Sequence, residues 1–137
     1  MPSSQSALQQ ALYAALSTDS ALLGLLGAPR IHDVVPEPPQ FPYVSFGHSL
    51  VRDSDASASA ADEHVVTLHV WSRGPGRRET QSIIHAVRSA LHDRALTLSG
   101  HRLVNLRHEF SETRRDADGE TLHGLVRLRA LTEPLAP

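Results

Sequence analysis

Hydrophobic residues at the start of the chain recur with the spacing of a helix. Between residues 7 and 16, alanine and leucine fall at every third or fourth position, which gathers them on one side of a helix. A leucine-rich run at 22–26 follows a polar Ser-Thr-Asp-Ser stretch and ends at Gly27. A polar cap before a helix and a glycine after it are common helix boundaries. The pattern therefore predicts two packed helices before residue 28.

Later segments alternate hydrophobic and polar residues, which is the period of a β-strand. The alternation occupies residues 43–51, 63–72, 103–113 and 121–131. In the second of these segments both faces carry apolar side chains, with Val66, Leu68 and Val70 on one face and Val65 and Trp71 on the other. We expect such a strand to be covered by helices on one side of its sheet and contacted by other molecules on the other.

A further helix is predicted between the second and third strands, over about residues 77–93, because its hydrophobic residues again follow the helical period. The predicted order of elements is α-α-β-β-α-β-β. An Asp-Gly pair at 118–119 is a strong hairpin motif, and the other links between neighbouring strands are also of the hairpin type. The order therefore predicts an α+β fold, a mostly antiparallel sheet of about four strands with helices packed on one face.

Three segments depart from these periodic patterns. Residues 28–42 contain five prolines, so they are expected to form a stiff, extended connector. Residues 52–62 are small and polar and are expected to form a mobile loop, because they bury too little apolar area to offset the entropy of ordering. Residues 132–137 are expected to be a frayed tail. The whole length, 1–137, fits a single domain.

Composition excludes several classes of function. The chain has 13 basic residues, all of them arginine, against 15 acidic residues, for a net charge of -2. This balance argues against a protein that grips a nucleic-acid backbone, and the lack of lysine excludes Schiff-base chemistry and a phosphate-loop lysine. The lack of cysteine excludes disulfides and thiolate metal sites. No signal peptide or membrane-spanning segment is recognisable.

Nine histidines are the residues most suggestive of chemistry, because neutral imidazole is a common metal ligand. His64 and His69 lie five positions apart in a strand, however, and therefore point to opposite faces. The Gly-Pro-Gly-Arg-Arg turn at 74–78 lacks the spacing of a phosphate-binding loop, and no serine stands in a nucleophile-elbow motif. The sequence thus predicts neither an enzyme nor a cofactor; a small His-dependent metal-binding enzyme is the alternative from another class.

A local basic region is formed by four arginines near the end of the chain, Arg114, Arg115, Arg127 and Arg129. A surface for single-stranded nucleic acid would interleave such arginines with aromatic rings on which bases stack. Aromatic residues make up only 4% of this chain. We therefore interpret the arginines as a solvated or subunit-facing strand surface.

Several stretches in order resemble the phage tail-completion, or tail-terminator, family. They are residues 11–16 (Ala-Leu-Tyr-Ala-Ala-Leu), 22–27 (Leu-Leu-Gly-Leu-Leu-Gly), 30–36 (Arg-Ile-His-Asp-Val-Val-Pro), 41–47 (Phe-Pro-Tyr-Val-Ser-Phe-Gly) and 67–72 (Thr-Leu-His-Val-Trp-Ser). A glycine turn, Glu79 and an amphipathic helix ending in Ala-Leu follow the last stretch. The resemblance extends over roughly residues 7–131, and the ordered series carries it rather than any single motif.

The resemblance implies a structural virion protein of a long-tailed phage, a prophage or a phage-like gene transfer agent, made in the bacterial cytoplasm. It implies a hexameric ring at the head-proximal end of the tail, which ends growth of the tube and binds the tube protein and a head-completion or stopper protein. DNA would pass through the ring without specific binding. A related head–tail connector or tube protein is the alternative within the same class.

Subunit contacts in such a ring are heterologous. The candidate residues for contacts with neighbouring subunits or with the partner proteins are taken from the 52–62 segment, the second face of the second strand and the local basic region. They are Asp53, Asp55, Asp62, Val65, Trp71, Arg114, Arg115, Arg127 and Arg129. We expect the 52–62 segment either to order on assembly, against the tube or the stopper protein, or to stay a disordered hairpin loop.

Overall fold

A computed structural model describes residues 2–54 and 60–135 of the chain. Its elements, in chain order, are α1 (Ser4–Ser17), α2 (Ser20–Leu26), β1 (Ile31–His32), β2 (Tyr43–Ser54), β3 (Ala61–Ser72), α3 (Arg78–Leu91), β4 (Thr97–Leu98), β5 (His101–Arg115) and β6 (Leu122–Pro134). The predicted α+β class is confirmed. Within the described ranges, no helix is long and apolar enough to cross a membrane.

The strands form one sheet in the order β1-β2-β3-β6-β5-β4. The four long strands that were predicted lie in the middle and are antiparallel to their neighbours. The expected count of about four is corrected to six, because a two-residue strand is added at each edge. β1 pairs in parallel with the start of β2, and β4 folds back on the start of β5. Such short pairings carry no periodic pattern that a sequence could display.

The core lies between the helices and one face of the sheet. α1 contributes Leu8, Leu12 and Leu16, all fully buried, and the β3 side chains that meet the helices are Val66, Leu68 and Val70. Ser3 caps α1 through a bond from the Ser6 amide, Asp19 caps α2, and Gly27 ends α2 with a φ of 81°. Polar caps and a left-handed glycine are the boundaries that the sequence predicted.

Close approach of α3 to the sheet depends on a glycine in β6. A Cβ atom at Gly124 would lie 2.8 Å from the Cδ1 atom of Ile84 and 3.0 Å from the Cγ2 atom of Thr80. The residues of β6 that alternate with Gly124 on this face, Val126, Leu128 and Ala130, belong to the core. The predicted inward face of the last strand is therefore the one observed.

The expected loop at 52–62 is shorter in the structure. Residues 52–54 and 61–62 belong to β2 and β3, where Asp53 is the register partner of Asp62. An ion pair of 2.7 Å between Arg52 and Glu63 links the two strands, and Asp62 accepts a hydrogen bond of 2.7 Å from the Ser4 hydroxyl. These contacts contribute stabilisation that the small buried apolar area of the segment does not provide. Residues 55–59, including Asp55, lie outside the described residues.

The expected frayed tail is also shorter, because β6 continues to Pro134. Thr132 pairs with both Asp62 and Leu103, and its hydroxyl lies 2.9 Å from the Nε2 atom of His64. His64 is fully buried, so this contact anchors the strand to the core. Residues 136–137 lie outside the described residues.

Candidate assembly interface

The second face of the sheet, which we call the helix-free face, carries the side chains that alternate with the core residues. It is defined by Val65, Thr67, His69 and Trp71 of β3 and by His123, Leu125, Arg127 and Arg129 of β6. The described helices all pack on the opposite face, where the core cluster lies. Because β3 is apolar on both faces, the helix-free face is the leading candidate for contacts with other molecules.

A group of rings, which we call the ring cluster, occupies one end of this face. It consists of Tyr43, His69, Trp71 and His123. The rings of Trp71 and His123 are parallel, with 4.1 Å between centroids and 2° between planes, and Tyr43 lies 6.3 Å from Trp71 on the other side. The Trp71 indole N–H donates to the Ser45 hydroxyl at 3.1 Å. These cross-strand contacts stabilise the register of β2, β3 and β6.

The two histidines of the ring cluster are joined to each other. The Nδ1 atom of His69 lies 2.6 Å from the Nε2 atom of His123, so the N–H of one ring donates a hydrogen bond to the other ring. Burial lowers the pKa of His69, and the nearby Arg114 lowers it further. Burial, His69 and Arg114 lower the pKa of His123 in the same way, against smaller opposing effects of Asp116 and Glu112. These effects favour the neutral form of both imidazoles.

This histidine pair does not constitute a metal centre. Within residues 2–54 and 60–135, no group of three or more His, Asp or Glu side chains is placed to hold a metal ion. Metal sites that support catalysis use three protein ligands around an open position. The alternative of a His-dependent metalloenzyme therefore has no geometric support in the described part of the chain.

An ion-pair network crosses the helix-free face toward the end where β2 passes to β3, away from the ring cluster. Arg129 donates to Glu109 at 2.8 Å and to Glu63 at 2.8 Å, and Glu63 also accepts from Arg52 at 2.7 Å. The hydrogen bond from Arg52 is the main reason that the pKa of Glu63 is lowered, and the bond to Glu109 raises the pKa of Arg129. The network joins four neighbouring strands, so these charged side chains stabilise the sheet.

Arg127 has a different environment from Arg129. Its guanidinium lies over the Phe110 ring at 4.9 Å from the centroid, within the range of a cation–π contact. Its Nε atom is buried without a hydrogen-bond partner, and so is the hydroxyl of its register partner Thr67. Phe110 is itself 38% exposed. Arg127, packed on the Phe110 ring, therefore covers this part of the face, where none of the described helices lies.

The structure brings together five of the nine residues proposed from the sequence. Val65, Trp71, Arg127 and Arg129 lie on the helix-free face, and Arg114 is the register partner of His123 beside the ring cluster. Tyr43, His69, His123 and Phe110 belong to the same face but were not predicted as interface residues; His69 was considered only as a metal ligand. The alternation of residues along β3 and β6 could have indicated the two histidines.

The remaining proposed residues lie elsewhere. Asp62 faces α1 and binds Ser4, so it lies on the helix side of the sheet. Asp53 is exposed near the end of β2. Arg115 donates to the Gly119 carbonyl at 3.1 Å and stabilises the turn after β5. Asp55 lies outside the described residues.

Comparison with known proteins shows which family this chain belongs to. The family model for tail completion protein gp17 matches residues 10–133. The chain belongs to the tail completion protein gp17 family. This confirms the family predicted from the ordered motifs, and it identifies the chain as a structural tail protein rather than an enzyme.

Individual relatives of the gp17 family support this assignment. A tail completion protein gp17 from Bacillus phage SPP1 is 29% identical over 89 residues, which span 65% of this chain and 66% of that protein. A chain from the virion of a native gene transfer agent particle is 31% identical, with a TM-score of 0.85 over 93% of this chain and 96% of that one. The solved structure of bacteriophage SPP1 gp17 has the same fold, with a TM-score of 0.61 over 96% of this chain and 91% of its own length, at 24% identity.

Proposed function

We propose that this chain is a tail terminator, a protein that forms a ring at the head-proximal end of a phage-type tail, ends growth of the tube and joins the tail to the head. The observation that carries the proposal is the likeness to a chain of a gene transfer agent virion, at 31% identity and a TM-score of 0.85 over nearly the whole length. Family membership over residues 10–133 points the same way.

Size and charge are compatible with a ring through which DNA passes. A domain of this length has a radius of gyration of about 14 Å, and six such bodies in a closed ring leave a central opening of similar width to one subunit. The net charge is only -2, and Arg129 and Arg52 are already paired with Glu63 and Glu109. Few arginines of the helix-free face are therefore free to hold phosphates, and each phosphate held would slow the passage of DNA.

The proposed contacts of the ring include the helix-free face. Val65, Trp71 and Phe110 supply partly exposed apolar area, and Arg114 supplies a charge at the edge of that area. Heterologous contacts of this kind close into a ring when the rotation between copies divides a full turn. We retain Asp53, Asp62 and Arg115 as proposed contacts, since they lie at or next to the ends of paired strands, and we retain Asp55 from the sequence alone.

Deletion of the gene tests the function. Particles made without this chain should show tails of abnormal length and heads without tails by electron microscopy, and a plasmid copy of the wild-type gene should restore normal particles. Native mass spectrometry of the ring released from purified particles should give six copies. Tails of normal length that remain attached to heads in the deletion strain would refute the proposal. A defect in the tube itself, with no tails formed, would favour a tube protein instead.

A further inference from the structure

The outer backbone edge of β2 is only partly covered in the described structure. β1 pairs with β2 at Val44 and Ser45 alone, and the Val44 amide donates outward to the Arg30 carbonyl at 2.9 Å. After the register shift between Phe46 and Ser49, the Ser49 carbonyl faces outward, because it accepts from the Gln5 side chain. Alternation along the strand then turns the amides of Val51 and Asp53 outward as well.

The outer edge of β5 is covered at its other end. β4 pairs with the first residues of β5, and the turn after α3 occupies two more groups: the Asp93 amide donates to the Leu106 carbonyl, and the His108 amide donates to the His92 ring. Beyond the register shift after His108, the Asp116 amide donates across to the Thr121 carbonyl of β6. The residues that alternate with Asp116 therefore face outward; they are Ser111, Thr113 and Arg115.

The directions of the two edge strands, β2 and β5, suit antiparallel pairing between copies. Each step from β2 to β3, to β6 and to β5 is antiparallel, so β2 and β5 run in opposite directions. When a second copy stands beside the first in the same orientation, β2 of one copy meets β5 of the next as an antiparallel pair. This is the arrangement that a heterologous ring repeats.

Space and chemistry beside β2 suit an added strand. A groove of about 590 Å³ runs along this edge, lined by Gln5, Gln9 and Tyr13 of α1 and by Phe46 and Ser49 of β2. Apolar atoms contribute more of its lining than polar atoms, Asp33 is its one charged lining residue among those described, and the Gln5 amide already occupies a backbone acceptor of the edge. Among the described residues the two strands also expose large apolar side chains, Leu50 (44%) on β2 and Phe110 (38%) on β5.

We propose that residues 46–53 of β2 pair with residues 111–115 of β5 in a second copy of this chain, so that the sheet continues from one subunit to the next. Long unpaired edges bind other strands readily, and here both edges would be used. Phe46 and Ser111 lie in the same row across the sheet, and the free stretches extend from that row in opposite directions. Neighbouring copies must therefore be staggered along the strands, as strands are in closed barrels.

The proposal rests on the proposed ring, and cross-linking in assembled particles tests it. The chain has no cysteine, so Val51→Cys combined with Thr113→Cys introduces two defined thiols. A short thiol-specific cross-linker should convert the double variant, in purified particles, into a ladder of multimers on a denaturing gel. Each single variant should give dimers at most. Ser111→Cys and Arg115→Cys, each combined with Val51→Cys, cover the neighbouring registers.

Proline substitution provides a second test with a matched control. Val51→Pro removes an outward amide and spares the bonds to β3, so the isolated protein should keep its circular dichroism spectrum while the yield of tailed particles falls at least tenfold. Val51→Ala keeps the amide and should give normal yields. Normal particles with no ladder at any of the three registers, or full yield with Val51→Pro, would overturn the edge pairing and leave the proposed function intact. Absence of the chain from the particles would instead overturn the proposed function.

Discussion

Gly47 of β2 offers a sharp test of how tightly the helix-free face is packed. A Cβ atom at this position would lie 2.3 Å from the Nε2 atom and 2.5 Å from the Cδ2 atom of His69, and 3.2 Å from the Thr67 carbonyl. The His69 ring has little freedom to move away, because its Nδ1 atom is bonded to His123 at 2.6 Å. Gly47→Ala should therefore displace the ring and disturb the ring cluster.

The expected magnitude follows from two opposing effects. Inserting a methyl group into a well-packed site costs about 1–3 kcal/mol, and replacing glycine by alanine restores about 0.4–1 kcal/mol by restricting the unfolded chain. The net loss of unfolding free energy should be about 1–2 kcal/mol. For a protein of this length, that loss corresponds to a fall in melting temperature of roughly 3–6 °C.

A double-mutant cycle with urea unfolding measures the clash directly. In the His69→Ala background the obstructing ring is gone, so Gly47→Ala should become neutral or slightly stabilising. The coupling between the two substitutions should be about 1–3 kcal/mol, as is found for residues in contact. If Gly47→Ala costs the same in both backgrounds, the cost arises from the backbone of β2, and the proposed contact with His69 is refuted.

Three further substitutions test other parts of the fold. Gly24→Ala should raise the free energy of unfolding by about 0.5–1 kcal/mol, since a Cβ there meets no atom within 4 Å; a loss would contradict this. Leu68→Ala, at a fully buried position, should lower it by about 2.7–5 kcal/mol, and a loss below 1 kcal/mol would show that the site collapses. Burial lowers the pKa of His64, so the unfolded chain takes up protons first, and stability should fall as the pH drops below about 6.5. His64→Gln should flatten the dependence on pH between 7.5 and 5.5 in urea titrations; an unchanged slope would assign that dependence to other histidines.

Much of the architecture could be predicted because it follows from local periodicity. The alternation around Val126 correctly identified the inward face of β6, and the Asp-Gly pair correctly predicted the turn between β5 and β6. The pairing of β3 with β6 could not be predicted in this way, since it joins strands that are distant in the chain. Register between distant strands depends on side-chain packing across the sheet, and one sequence does not reveal that packing.

The residues of the candidate interface also divide into those that local periodicity predicts and those that depend on packing between distant strands. The apolar second face of β3 was visible in Val65 and Trp71, because alternation alone defines it. His123 was not recognised, since its role depends on being opposite Trp71 in β6. Composition predicted a loop at Asp53 and Asp62, but there a segment of small and polar residues forms paired strand ends. The Arg52–Glu63 ion pair links the two strands at those ends, and a long-range hydrogen bond from Ser4 joins Asp62 to α1.

The two hairpin turns lie at opposite ends of the sheet. β2 passes to β3 beyond the pair Ser54 and Ala61, while β5 passes to β6 at the other end, beyond the pair Arg115 and Leu122. The stretch of sequence that links β2 to β3 is rich in alanine and serine, whereas the opposite end of the sheet carries arginines and aspartates around an Asp-Gly turn. Copies aligned side by side would give an assembly two chemically distinct rims. Such an object has a direction, and two different neighbours could each recognise one rim without competing for the other.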